Sequence, residues 1–78
     1  MSKLKIGNVH AEVDLLDRDT GQTECWVTLN LKSGECLAGG SLAYVEAMGG
    51  FELDDGSLRV VGDETLAKIE KWAGKQGY

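Results

Sequence analysis

The stretch that decides the fold is Val9-His10-Ala11-Glu12-Val13-Asp14-Leu15, together with its echo Thr23-Glu24-Cys25-Trp26-Val27-Thr28-Leu29-Asn30-Leu31-Lys32. In the first segment apolar and polar residues alternate strictly, which is the period of a half-buried strand. The second places Cys25, Val27, Leu29 and Leu31 on one face and Glu24, Trp26, Thr28 and Asn30 on the other. Both inward sets sit at odd positions, so residues opposed in an antiparallel pair must have numbers with an even sum. The connection Asp17-Arg18-Asp19-Thr20-Gly21-Gln22 is therefore expected to hold an odd number of unpaired residues, three or five, with Gly21 supplying a left-handed position. Upstream, Leu4 and Ile6 are apolar in the opposite phase. Gly7-Asn8 must absorb one residue there, as a bulge or as a tight turn.

Downstream, Ser33-Gly34 reads as a two-residue turn into a short third strand through Glu35, Cys36 and Leu37. That register sets Leu31 opposite Cys36 and Cys25 opposite position 42. The two sulfurs then lie on the order of 20 Å apart along the hairpin, far beyond the roughly 4.4–6.8 Å Cα separation of a disulfide. Two reduced, mostly buried thiols are expected, as in a reducing compartment. Gly39-Gly40-Ser41 is expected to break the strand, with Ser41 capping a short helix over Leu42 to Met48 that Gly49-Gly50 ends. Asp55-Gly56 suits a type I′ turn. It would pair Leu53 with Leu58, Phe51 with Val60 and Glu52 with Arg59. Asp63 reads as the N-cap of a second helix from about Glu64 to Ala73, with Leu66, Ile69, Trp72 and Ala73 as its apolar stripe and Gly74 as its stop. The order ββ(β)αββα describes a single small α+β domain over residues 1–78, a mostly antiparallel sheet with a short middle helix and a C-terminal helix.

With 78 residues there is room for one core, and chains of this size bury about 60–65% of the surface they expose when unfolded. The 42% apolar and 27% charged content is that of an ordinary globular protein. No apolar run approaches the roughly 18–20 residues of a membrane span, and no leader-like segment opens the chain. A soluble, cytoplasmic protein without membrane association is expected.

The net charge of −5 has an address. Of thirteen acidic residues, twelve lie between Glu12 and Glu64, where the only bases are Arg18, Lys32 and Arg59. Basic residues collect instead at the two ends, as Lys3 and Lys5 and as Lys68, Lys71 and Lys75. The last three suit a helix C-terminus. Direct nucleic-acid binding asks for a basic face, which could form only if the two ends meet, and it is not expected.

Strand phase also argues against catalysis. A cysteine nucleophile needs a base within hydrogen-bond reach, and the single histidine, His10, points outward while Cys25 points inward. Ser2, Ser33, Ser41 and Ser57 sit in turns, caps or termini, outside any nucleophile-elbow context. Asp17-Arg18-Asp19-Thr20-Gly21 resembles the opening of a calcium loop but lacks its glycine at position six and its glutamate at twelve. Two inward cysteines and one outward histidine do not converge on zinc. Gly39-Gly40-Ser41 could cradle a phosphate at a helix start, yet no base lies near it in sequence. The expectation is a non-enzymatic protein with no cofactor and no metal.

What remains is the outward face of the first hairpin. Glu12 and Asp14 lie about 6.5–7 Å apart by strand rise, Glu24 and Trp26 come from the neighbouring strand, and Asp17 and Asp19 extend the line into the loop. A tryptophan among carboxylates suits an interface hot spot, if no other segment covers it. Glu12, Asp14, Asp17, Asp19, Glu24 and Trp26 are thus the candidate partner-binding residues, aimed at a basic protein or nucleoprotein complex. In length, charge and lack of catalytic motifs the chain resembles the small phage-borne inhibitors of host defence, anti-CRISPR proteins among them. That resemblance implies an inhibitor that presents carboxylates where phosphates would sit. The alternative is a small bacterial housekeeping or antitoxin-like domain that homodimerises through a strand edge or Trp26, so a monomer and a homodimer are both open.

Overall fold

The structure is a computed structural model that describes residues 2–78, with side chains from Lys3 onward; the side chain of Ser2 lies outside that description. Strand period dictates the first half of the chain. Ala11, Val13, Cys25, Val27 and Leu29 are buried. β2 (Val9–Asp17) and β3 (Gln22–Asn30) pair antiparallel with Ala11 opposite Val27 and Val13 opposite Cys25, the even-sum register that the pattern requires. β1 (Ser2–Ile6) joins β2 through a turn at Gly7-Asn8 rather than a bulge. Gly7 has φ 58°, and no described non-glycine residue has positive φ, which fits a type II′ turn with glycine first. Leu4 then faces Ala11 and Ile6 faces Val9, so even residues of β1 share the inward face with odd residues of β2.

All three loops differ from expectation. Between β2 and β3 the loop is Arg18 to Gly21, an even number of residues, and the parity is restored by a register slip at Leu16. Gly21, at φ 73°, donates its N–H to the Asp17 carbonyl at 2.9 Å. The next connection is a three-residue loop, Lys32-Ser33-Gly34, not a two-residue turn: Leu31 N–H donates to Glu35 O and Gly34 N–H to Leu31 O. A type I′ turn would need positive φ at Ser33 as well as at Gly34, and only Gly34 takes it, at 93°. A bulge at Leu37, between the pairs Asn30–Cys36 and Leu29–Ala38, brings the strand back into the expected register. The bulge turns Cys36 outward. Its thiol, expected to be buried, is exposed, whereas Cys25 is buried, and both are free.

Gly39 and Gly40 do not break the chain; they lie inside β4 (Cys36–Ser41). A Cβ at Gly39 would stand 3.0 Å from Trp26 Nε1, and one at Gly40 would stand 2.8 Å from Tyr44 Cδ2. Both positions lack a side chain because an aromatic ring passes there. α1 (Leu42–Met48) starts as expected, with Ser41 Oγ accepting from the Tyr44 N–H at 3.2 Å, and stops at Gly49 in the left-handed conformation.

The second hairpin, β5 (Gly50–Glu52) and β6 (Leu58–Val60), is shifted by one residue from its expected register. Phe51 faces Arg59 and Glu52 faces Leu58, so the expected pairs Leu53–Leu58, Phe51–Val60 and Glu52–Arg59 are not formed. The loop is again of three residues, Asp54-Asp55-Gly56, with Leu53 N–H donating to Ser57 O and Gly56 N–H to Leu53 O. Asp55 spends its Oδ1 on the Ser57 N–H at 2.9 Å instead of adopting positive φ. Here no bulge makes up the difference, and Leu58 and Val60 are exposed.

α2 (Asp63–Lys75) is capped by Gly62, not by Asp63, and runs through Gly74 to end at Gln76. Asp63 and Glu64 occupy its first turn, where the helix dipole favours negative charge. Leu66, Ile69 and Ala73 are buried, with Trp72 partly buried beside them, the stripe read from the sequence. The domain is α+β, with a four-stranded sheet in the order β1-β2-β3-β4 and a separate two-stranded sheet. Both helices, Phe51 of β5 and Val61 just after β6 join the inward residues of the large sheet in one core. Leu15 and Leu31, in the inward phase but at strand ends, are exposed.

Gly50 is the tightest point of this packing, since a Cβ there would meet the Arg59 carbonyl oxygen at 2.1 Å. Gly50→Ala should cost at least about 2 kcal/mol in urea unfolding. Gly74→Ala, in the open last turn of α2 with nothing within 4 Å, should instead gain about 0.5–1 kcal/mol. A Gly50→Ala protein as stable as the parent would refute the close approach of β5 and β6.

Candidate functional site

Because the odd residues of β2 and β3 face the helices, their even residues form the opposite surface of the sheet, and that surface is open. Trp26 is 46% exposed, so of the two readings, covered or free, it is free. Pairing fixes its neighbours. Glu12 stands directly across from Trp26, and Asp14 directly across from Glu24. Glu12, Asp14, Glu24 and Trp26 are therefore brought together on one face. Asp17, the last residue of β2, and Asp19, in the β2–β3 loop, carry the acidic line off the strands and into the loop. Asp17 Oδ1 accepts the Asp19 N–H at 2.9 Å, which commits one of its oxygens to shaping the turn.

The pair Asp14–Glu24 is unusual in its electrostatics. Like charges directly opposite on a sheet are destabilising. Among the described residues neither has a basic partner within ion-pair distance, and Asp14 Oδ1 is buried without a hydrogen-bond partner. Glu12 differs, since its Oε2 lies 4.0 Å from Lys3 Nζ.

Lys3 marks what sequence reasoning missed. The turn at Gly7-Asn8 puts Leu4 and Ile6 inward, so Lys3 and Lys5 come out on the same open face, opposite Glu12 and His10. The face is thus divided, with carboxylates at the end near the β2–β3 loop and bases toward the β1–β2 turn. Between β1 and Trp26 runs an open groove of about 440 Å³, lined by Lys3, Lys5, His10, Glu12, Trp26 and Thr28 among others. The opposite phase of Leu4 and Ile6 carried this information, and two lysines outward is its direct corollary. Gly39 was missed for another reason: the approach of Trp26 Nε1 to within 3.0 Å of where its Cβ would stand follows from the register of β3 on β4 and not from any local pattern.

The remaining reactive groups stay apart. Cys25, in the core, has its thiol pushed up to about 11 by burial and, secondarily, by the charge of Glu46. Cys36 is exposed on the open side, its Sγ donating weakly to the Ala38 carbonyl at 3.4 Å. His10 meets Asn30 and not a cysteine. Among the described residues no group of three His, Cys, Asp or Glu side chains comes together as metal ligands, and no helix is long and apolar enough to cross a membrane.

The two thiols should behave differently. A thiol reagent at neutral pH is expected to modify Cys36 alone, and Cys25 only after denaturation; rapid modification of both would place Cys25 outside the core. The raised Cys25 value also sets a sign. Between the ordinary thiol range and about 11 the unfolded chain holds fewer protons at this site than the native one, so stability falls as pH rises through that window. The fall should be shallower in Cys25→Ala, measured by urea unfolding across the same pH range.

Comparison of the chain with protein-family models, with curated proteins and with solved structures finds no match.

Proposed function

We propose that this is a non-enzymatic binding protein that docks on a basic protein surface through the acidic half of its open sheet face. The observation that carries the reading is the Asp14–Glu24 pair, two carboxylates directly opposed on an uncovered sheet beside a half-exposed tryptophan. Such a pair costs stability in the isolated chain, and a cationic partner would turn that cost into binding energy. Trp26 supplies the aromatic anchor that dominates many interfaces, with Glu12 across the strand. Asp17 and Asp19 extend the negative rim, where charges act mainly on the rate of association. In its sharper form the protein is a cytoplasmic, phage-type inhibitor of a host nucleic-acid-binding defence complex, anti-CRISPR-like, which occupies a phosphate-binding channel by mimicry and binds neither nucleic acid nor membrane itself.

A second reading rests on a different observation. β6 ends the small sheet with Leu58 and Val60 exposed, Val60 by 71%, and an exposed apolar edge strand is a template for pairing. A small bacterial housekeeping or antitoxin-like domain would use it to form a homodimer.

Native mass spectrometry and capture from a bacterial lysate separate the two. Docking on a basic surface expects a concentration-independent monomer that retains a basic nucleic-acid-binding complex and releases it in about 1 M salt, where the screening length is about 3 Å. The variant Asp14→Lys with Glu24→Lys should lose that capture. Asp14→Asn with Glu24→Gln should weaken it while leaving unfolding stability unchanged or raised by about 0.2–1 kcal/mol. Unaltered capture by the lysine variant would refute the acidic-face reading, and a stable homodimer without ligand would favour the second.

A further inference from the structure

The basic half of the open face has a geometry of its own, and from it we propose a binding site for a small planar aromatic anion of mononucleotide size in the groove between β1 and Trp26. The site shares Trp26 with the docking reading but takes no ligand contact from Asp14, Glu24, Asp17 or Asp19, so Lys5→Glu tests it separately from the Asp14 and Glu24 variants. Its volume of about 440 Å³ lies within the roughly 300–1,000 Å³ of small-molecule pockets.

One wall provides for an anion. Lys3 is engaged by Glu12 at 4.0 Å, whereas Lys5 has no carboxylate within ion-pair distance among the described residues. Lys5 stands directly opposite His10. His10 Nδ1 lies 3.4 Å from Asn30 Nδ2. Lys5 and His10 thus place an ammonium and an imidazole at the same level of the sheet.

The other wall provides for a ring. Trp26 lies on β3, two strand spacings from β1, roughly 9.5–10 Å. Its indole passes beside Gly39, where a Cβ would stand 3.0 Å from Nε1 and 3.3 Å from Thr28 Cγ2, and nearly half of its surface is free for stacking. Thr28, on the same strand and directly across from His10, also lines the groove. A ligand whose anionic group is separated from its ring by a sugar-sized spacer reaches both walls. An anion alone misses the stack, and a ring alone misses the cation. A longer polyanion would run onto the unpaired Asp14–Glu24 carboxylates, which favours one nucleotide unit over a strand.

The test is an amide and indole NMR titration of the whole chain at low ionic strength, using adenosine 5′-monophosphate, adenosine, inorganic phosphate and an oligothymidylate as separate probes. The monophosphate should give saturable shifts at Lys5, His10, Thr28 and the Trp26 indole, with a dissociation constant of about 1 mM or tighter. Adenosine and phosphate should each bind at least about ten-fold more weakly. Lys5→Glu, an exposed substitution whose fold is checked by the rest of its spectrum, should lose about ten-fold, and Trp26→Leu a similar factor. The proposal is overturned if the monophosphate fails to saturate, if adenosine binds as well, if Lys5→Glu changes nothing, or if the oligonucleotide binds more tightly per nucleotide.

Discussion

Everything on the open face follows from the ladder between β2 and β3, in which Ala11 meets Val27 and Val13 meets Cys25. Those four side chains are buried against Leu42, Val45, Phe51 and Ile69, and their burial fixes the register. A slip of one residue in either strand would carry its even residues into the core. Glu12, Asp14, Glu24 and Trp26 are outward because the alternative buries charges that have no partner there, at a cost of several kcal/mol for each. The apolar contacts on one side of the sheet thus hold the polar arrangement on the other, including the opposed carboxylates that would separate if left to themselves.

The sequence was most legible where period and burial agree. Odd residues of β2 and β3 and the stripe Leu66, Ile69 and Ala73 could be read directly, and the open face came with them. It was least legible at the hairpin loops, because turn type depends on whether a non-glycine residue accepts positive φ. Ser33 and Asp55 do not. Each becomes the middle of a three-residue loop closed by a left-handed glycine, and each loop shifts its hairpin by one residue. In the first hairpin the bulge at Leu37 cancels the shift, since the apolar ladder of β3 demands it. In the second, the strands are three residues long and impose no such demand, so the shift stands. Gly39 and Gly40 read as breakers for a related reason: nothing local in the chain shows that two aromatic rings occupy their missing side chains.

The candidate site was half legible. The carboxylates and Trp26 lie where strand phase put them, but Asp17 serves the loop, and the bases of β1 share the same surface. The charge imbalance along the chain therefore becomes a division across a few strands, with Glu12 held by Lys3 at the boundary. Net charge alone hides this, because the bases are distant in sequence from the acids they stand beside. The register, set by one turn at Gly7-Asn8, brings them together.

The large sheet is a meander in which each strand pairs with the next through a connection of two to five residues, so its ladders close at little entropic cost. The contact of α2 with β1 is of another kind, joining the two ends of the chain across nearly its whole length. Local pairing of this sort favours rapid folding, and the inner face of the sheet waits for its last helix. The outer face depends on that covering, because its register is held by the apolar ladder on the inner side, so the surface available to a partner is secured by a helix that never touches it from the side the partner would approach.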